Sequence, residues 1–201
     1  MIMKRIYSML WGEKMIEFEE SRLKFRFGDT WQIFQLDSSD PESKHRDYRD
    51  GIAKIQNTCA VDFVGIHDDI LYFIEVKNFK NYEAENEEKL SSGQLAIKIA
   101  QKVRDSISCI VAVSRTSDNY GFWQPFKNLL CDRDKIVKVI AWLECGFSAS
   151  TPITRNTQLI ATKLSWLTPN VLVMNQKDHK LPDITVESLP IPLVSAFDRR
   201  E

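Results

Sequence analysis

Glycine and proline are scarce: seven of each in 201 residues leave no room for long flexible linkers. No internal repeat and no low-complexity tract is visible. Histidine is scarcer still, with three scattered residues, and the four cysteines, Cys59, Cys109, Cys131 and Cys145, form no Cys-x-x-Cys pair. No zinc pattern is therefore present. Each cysteine adjoins apolar residues and reads as a reduced core thiol, which implies a reducing compartment. A surplus of either charge is also missing. With 27 basic and 28 acidic residues the net charge is −1, which excludes a chain coated in positive charge to cover nucleic acid, although a local basic groove stays compatible. The apolar run from Ile6 to Trp11 is broken by Ser8 and lacks a small-residue cleavage site. Neither a signal peptide nor a membrane span is expected, and a cytoplasmic location is.

What is present is ordinary for one globular domain spanning residues 1–201: 43% hydrophobic and 27% charged residues. The expected core covers about 41–143, with an N-terminal extension at 1–38 and a C-terminal tail at 176–201. In the extension, Phe25, Phe27, Trp31, Ile33 and Phe34 suggest one or two strands around a turn at Gly28-Asp29; a glutamate-rich helix over 13–24 is the alternative. Ser39-Asp40-Pro41-Glu42 is a helix-start signature. Tyr48, Ile52 and Ile55 then recur at helical spacing, which predicts a helix over about 41–56.

Two apolar runs follow, Cys59 to Ile66 and Ile70 to Asn78, joined by His67-Asp68-Asp69. They read as a β-hairpin. Residues 79–92 are polar and acidic, as in a surface loop or short exposed helix. Leu95, Ile99 and Val103 draw a helix from Gln94 to Ser108, and Cys109 to Val113 reads as a short buried strand. Beyond it are expected a helix near 122–131, a strand from Ile136 to Leu143, a helix near 156–167, a strand from Val171 to Met174, and an irregular tail. Alternating strands and helices indicate an α/β fold with a mixed central sheet flanked by helices.

The hairpin register can be worked out. With Asp68-Asp69 as the central turn residues, His67 faces Ile70, Val64 faces Phe73 and Asp62 faces Glu75. Side chains two apart share a face, so Lys77 joins Glu75 and Asp62. Both faces are otherwise apolar, so the hairpin is expected inside the sheet and covered on both sides. Two carboxylates roughly 5 Å apart repel by about 3 kcal/mol at an effective dielectric of 20. Lys77 offsets part of this. A divalent cation would offset more, and carboxylate oxygens suit Mg²⁺ or Mn²⁺. The other reading of the three residues is a Glu–Lys ion pair beside an acidic turn flank.

Ala60-Val61-Asp62-Phe63-Val64 followed by Phe73-Ile74-Glu75-Val76-Lys77 resembles the PD-(D/E)xK nuclease superfamily, the restriction-endonuclease-like fold. The order helix, hairpin, helix, strand matches most of that family's core, except for one strand missing between the first helix and the hairpin. Val61 stands where the family's name motif has proline. The resemblance implies that Asp62 and Glu75 bind Mg²⁺ or Mn²⁺ with help from the Val76 backbone carbonyl. Lys77 would then orient or deprotonate the attacking water and stabilise the charged transition state. It also implies a nucleic-acid substrate; DNA is the expected one, with RNA as the alternative.

Around that centre, Gln94 and Lys98 lie one turn apart on the helix after the hairpin, whose polar side also carries Gln101 and Lys102. They reach the strand ends or form a solvated face. The earlier helix offers Lys44, Arg46 and Arg49 for phosphate, and Asp47 and Asp50 as an added ligand or as mere surface charge. Arg133, Lys135 and Lys138 read as surface charge. Trp123, Trp142 and Trp166 read as packing residues rather than base-stacking platforms. Two other functions remain open besides the nuclease: a catalytically inactive nucleic-acid-binding module, and a protein-interaction component of a larger defence or mobile-element complex. A homodimer or a partner protein would allow both strands of a duplex to be cut.

Overall fold

Residues 68 and 69 decide the centre of the molecule. In the computed structural model, which describes residues 9–10, 13–38, 47–80, 92–145 and 150–190, both aspartates have positive φ, 48° and 59°. Two consecutive left-handed residues make the tight turn whose twist matches paired strands, and aspartate tolerates that conformation better than most residues. The turn joins β6 (Phe63–His67) to β7 (Ile70–Asn78). It sets the expected register: His67 opposite Ile70, Val64 opposite Phe73, Phe63 opposite Ile74.

The hairpin lies inside a five-stranded mixed sheet of order β5-β6-β7-β8-β9. β5 (Gln32–Gln35) pairs antiparallel with β6. β8 (Ile136–Glu144) runs parallel to β7 along nine residues, from Ile70 opposite Ile136 to Asn78 opposite Glu144. β9 (Val171–Met174) is parallel to β8. The parallel connections carry helices: α2 (Gln94–Thr116) and α3 (Tyr120–Cys131) between β7 and β8, and α4 (Ser150–Leu164) between β8 and β9.

Period-two alternation sends each strand's side chains into two separate cores. Val64, Leu71, Phe73, Val139 and Ala141 pack with Ile99, Val103, Ile110, Trp123 and Phe126 of the helices. Phe63, Tyr72, Ile74, Val76, Ile140 and Trp142 meet Leu23, Phe25 and Phe27 on the other side. Those three belong to β4 (Leu23–Phe27), the middle of a second sheet ordered β10-β4-β3, with β3 at Ile16–Glu20 and β10 at Ile184–Ser188. The outward residues of β4 alternate as charges: Lys24 and Arg26 both hold Glu17, each at 2.8 Å. Gly28 lets β10 approach. Its N–H donates to the Asp183 carbonyl at 2.9 Å, and a Cβ there would fall 1.5 Å from the Asp183 carboxylate. A two-strand pair, β1 (Met9–Leu10) and β2 (Glu13–Lys14), precedes these elements.

Several expectations need correction. The segment Cys109–Val113 is not a strand: α2 runs on to Thr116, because buried Cys109, Ile110 and Val113 extend the helical stripe of Ile99 and Val103. Among the described residues of 41–56, helix is confined to α1 (Asp47–Asp50) and a 3₁₀ turn at Ile52–Lys54; residues 41–46 lie outside them. Tyr48 is buried but Ile55 is 62% exposed, so the stripe fails after one turn. The glutamate-rich segment is strand, not helix, since Phe18 and Phe25 face each other across the β3–β4 pair. The helix expected near 156–167 starts earlier, at Ser150, and ends at Leu164. The supposedly irregular tail contributes β10. Of the cysteines, all free, Cys109 is buried, Cys59 and Cys145 are half-buried and Cys131 is exposed, so the core reading holds fully only for Cys109.

Candidate functional site

The site forms where β6 stops. The ladder ends at Phe63 opposite Ile74, so beyond it the backbone groups of Val76 that face β6 have no strand to bond. Each finds another partner. The Val76 N–H donates to Asp62 Oδ2 at 2.6 Å. The Val76 carbonyl accepts from Lys77 Nζ at 3.1 Å. Asp62 lies in the bend just before β6, its carbonyl still accepting from the Leu36 N–H at 3.0 Å on the β5 side.

The strand expected from Cys59 begins only at Phe63, so Asp62 is not paired with Glu75 in the ladder; it still joins Glu75 and Lys77, reaching the Val76 N–H from the bend before β6. Lys77 Nζ lies 2.6 Å from Glu75 Oε1. Sequence reasoning missed the fourth member. Lys102, on the sheet-facing side of α2, places Nζ 2.8 Å from Glu75 Oε2 and 3.4 Å from Asp62 Oδ1. Glu75 is buried, and its two oxygens meet these ammonium groups by proximity rather than through well-aligned hydrogen bonds.

The same helix holds the segment that carries Asp62. Ser106 Oγ accepts from the Val61 N–H at 3.0 Å and donates to the Lys102 carbonyl at 2.7 Å. Asp105 Oδ2 accepts from the Cys59 N–H at 3.1 Å. These buried contacts fix the distance between α2 and the approach to β6.

Two further acids complete the site. Glu20, at the end of β3, and Asp37, just after β5, bring carboxylate oxygens within 4.8 Å of one another and of Asp62. Glu20 is oriented by Gln35 Nε2, which donates to its Oε2 at 2.9 Å. Four carboxyl groups thus face two ammonium groups, and the acids are in excess. The protonation equilibria respond accordingly. Glu75 is raised above the usual carboxylate range, by burial first and then by Asp62. Glu20 is raised for the same reasons. Asp37 is pushed up to about 7 by loss of solvation and by Asp62; because its side chain still meets water, the crowding by Asp62 is the firmer of the two causes. For Lys102 burial acts to lower the pKa, but Glu75 and Asp62 outweigh it and raise it. Of the Lys102–Glu75 pair, the Lys102 direction is the one the geometry fixes, since two carboxylates lie against that ammonium.

The other expected residues stand apart. Gln94 and Lys98 are exposed on α2, and the residue of that face which meets the acids is Lys102, one turn further on. Arg49 pairs with Asp50 at 3.7 Å. Asp47 accepts from the Trp123 indole N–H at 3.1 Å and is no ligand of this centre. Arg46 lies outside the described residues. One signal for Lys102 was present: it continues the four-residue spacing Gln94, Lys98, Lys102 while its neighbours Ile99, Val103 and Ser106 are core positions. Nothing local marked Glu20 or Asp37, which long-range pairing brings in.

No family model, no curated protein and no solved structure matches this chain.

Proposed function

We propose that this chain is a metal-dependent nuclease that hydrolyses phosphodiester bonds in nucleic acid, with DNA as the expected substrate and RNA as the alternative. The observation that carries the reading is the convergence of Asp62, Glu75, Lys77 and the Val76 carbonyl at the point where β6 ends. The donor set fits Mg²⁺ or Mn²⁺: every ligand is a hard oxygen, and carboxylates outnumber the ammonium groups that face them. Asp62, Glu75 and the Val76 carbonyl would hold it, with Asp37 and Glu20 as further oxygen donors beside Asp62. When bound, such an ion polarises a phosphoryl oxygen and lowers the pKa of its water.

The chain's own residues supply the rest. Lys77, about one third exposed, is placed to orient the attacking water and to meet charge that develops on phosphate. Lys102 holds Glu75 and Asp62 at fixed separation. Ser106 and Asp105 position the Asp62 segment. Support from the resemblance is mixed: β5 supplies a strand beside the hairpin but precedes α1 in the chain, and among the described residues α2 and α3 both lie between β7 and β8.

One observation favours a second reading. Both Glu75 oxygens already meet lysines, and Lys102 also meets Asp62. Such a self-neutralised centre suits a catalytically inactive nucleic-acid-binding or protein-interaction module. The test incubates the purified protein with Mg²⁺ or Mn²⁺ and linear, circular and single-stranded DNA and RNA, beside Asp62→Asn and Lys77→Ala. Metal-dependent cleavage is expected, lost in Asp62→Asn and reduced about 10²–10⁴-fold in Lys77→Ala. Cleavage that persists in both variants removes the site. Intact nucleic-acid binding with no cleavage by any form selects the second reading.

A further inference from the structure

Trp166 stands in water. It is 59% exposed, whereas Trp31, Trp123 and Trp142 are buried, so the packing role expected from its neighbours does not hold. The ring follows the last turn of α4 and is held there, its indole N–H donating to the Lys163 carbonyl at 3.0 Å. Facing it across a groove is α2, with Ile97, itself 45% exposed, and Ala100. Gln101, Arg104 and Lys163 complete the lining, and the groove has a volume of about 550 Å³. Two of the six lining residues are cations and none is an acid. Asp105, behind the groove, takes part of the Arg104 guanidinium, Nε and Nη2 each at 2.8 Å. The Lys163 ammonium is exposed.

A flat apolar ring, an apolar floor and two cations with no lining acid recognise a ligand that carries a π-face beside negative charge. A base with its flanking phosphates has that chemistry, and stacking on an aromatic side chain accepts any base. The groove is separate from the acidic centre: on α2, successive residues turn by about 100°, so Arg104 lies on the far side of the helix from Lys102, which faces Asp62 and Glu75.

We infer that the groove between α2 and α4 binds a single-stranded segment of nucleic acid, with one base stacked on Trp166 and the adjoining phosphates on Lys163 and Arg104. The choice of ligand rests on the nuclease reading. The full chain is titrated into fluorescein-labelled oligothymidylate in EDTA, following anisotropy and tryptophan emission. Saturable binding with quenching is expected. Trp166→Ala weakens it about 5- to 150-fold, the equivalent of one stacked base, and Trp166→Phe restores most of the loss. Arg104→Gln with Lys163→Gln flattens the slope of log K against log salt by about 1.4, as expected for two phosphate contacts on a single strand. Equal affinity of Trp166→Ala and the parent overturns the proposal. Quenching by polyglutamate but not by oligothymidylate also overturns it and gives the groove to an acidic protein segment. Metal-dependent cleavage that needs Asp62, with binding indifferent to Trp166, removes the groove and leaves the nuclease. Trp166-dependent binding without cleavage in Mn²⁺ supports the groove and removes the nuclease.

Discussion

The two ends of one hairpin each carry a lysine–carboxylate pair at nearly the same distance. At the turn, Lys135 Nζ lies 2.9 Å from Asp69 Oδ2, with 39% and 78% of the side chains exposed. At the other end Lys102 Nζ lies 2.8 Å from Glu75 Oε2, with 11% and 0% exposed. Distance does not distinguish them; solvent does. The exposed pair competes with water and salt and loses side-chain freedom on forming. The buried pair has already lost its hydration, so either partner left alone is costly. Only the second kind of pair holds groups in the fixed geometry that chemistry needs.

Removing Lys102 should break that difference open. Lys102→Met leaves two buried carboxylates with Lys77 as their cation, and is expected to destabilise by about 3–5 kcal/mol. In a chain this long that is a fall in Tm of roughly 6–20 °C. Calorimetry at pH 7.5 checks it. The double variant Glu75→Gln with Lys102→Met should recover part of the loss, because the orphaned charge goes with its partner; an additive result would show that the two groups do not interact.

Ser106→Ala comes next. It strands the Val61 N–H in the core and is expected to destabilise by about 1–3 kcal/mol, while loosening the segment that carries Asp62. Urea unfolding measures the first effect. On the proposed nuclease reading, the second appears as an Asp62-dependent cleavage rate that falls although the charged groups of the site are intact.

Asp37 gives a smaller effect with a definite sign. Its carboxyl ordinarily titrates near 3.8 and is pushed up to about 7 in the folded chain. Between those values the folded state keeps a proton that the unfolded state has released, so stability falls as pH rises through this window. Asp37→Asn should match the parent below about pH 4. Above pH 7 it should melt higher, by at most about 4 °C because the side chain still meets water. Melting curves in EDTA from pH 4 to 8 test this; a lower Tm at pH 8 would show that Asp37 is stabilised as an anion. At the turn, Lys135→Met should leave both Tm and activity unchanged, and a measurable fall in either would erase the contrast between the ends.

Much of the fold was legible in local order. Alternating Val, Ile, Phe and Tyr on either side of Asp68-Asp69 gave the hairpin, its register from His67 to Phe63 and its double-sided burial; Asp62, one residue short of the ladder, reaches the site through the Val76 N–H rather than as a strand partner of Glu75. The helix expected near 122–131 and the strand from Ile136 to Leu143 are found as α3 and β8 to within a few residues. Two misreadings share one cause. Cys109–Val113 is a run of apolar residues that suits a strand or a buried helix equally, and length alone arbitrates. Trp166 sits among apolar neighbours in sequence, but its side chain follows the last turn of a helix whose buried face is elsewhere.

Short-range chemistry thus settles which segments pair through a tight turn, because turn residues and side-chain alternation act over a few positions. Glu20, Asp37 and Lys102 joined the acids through contacts between segments far apart in the chain. β10 likewise paired with β4 across most of the sequence. No local pattern encodes such meetings: which polar residue of a helix faces inward depends on what lies opposite it, and that is set only when the layers pack.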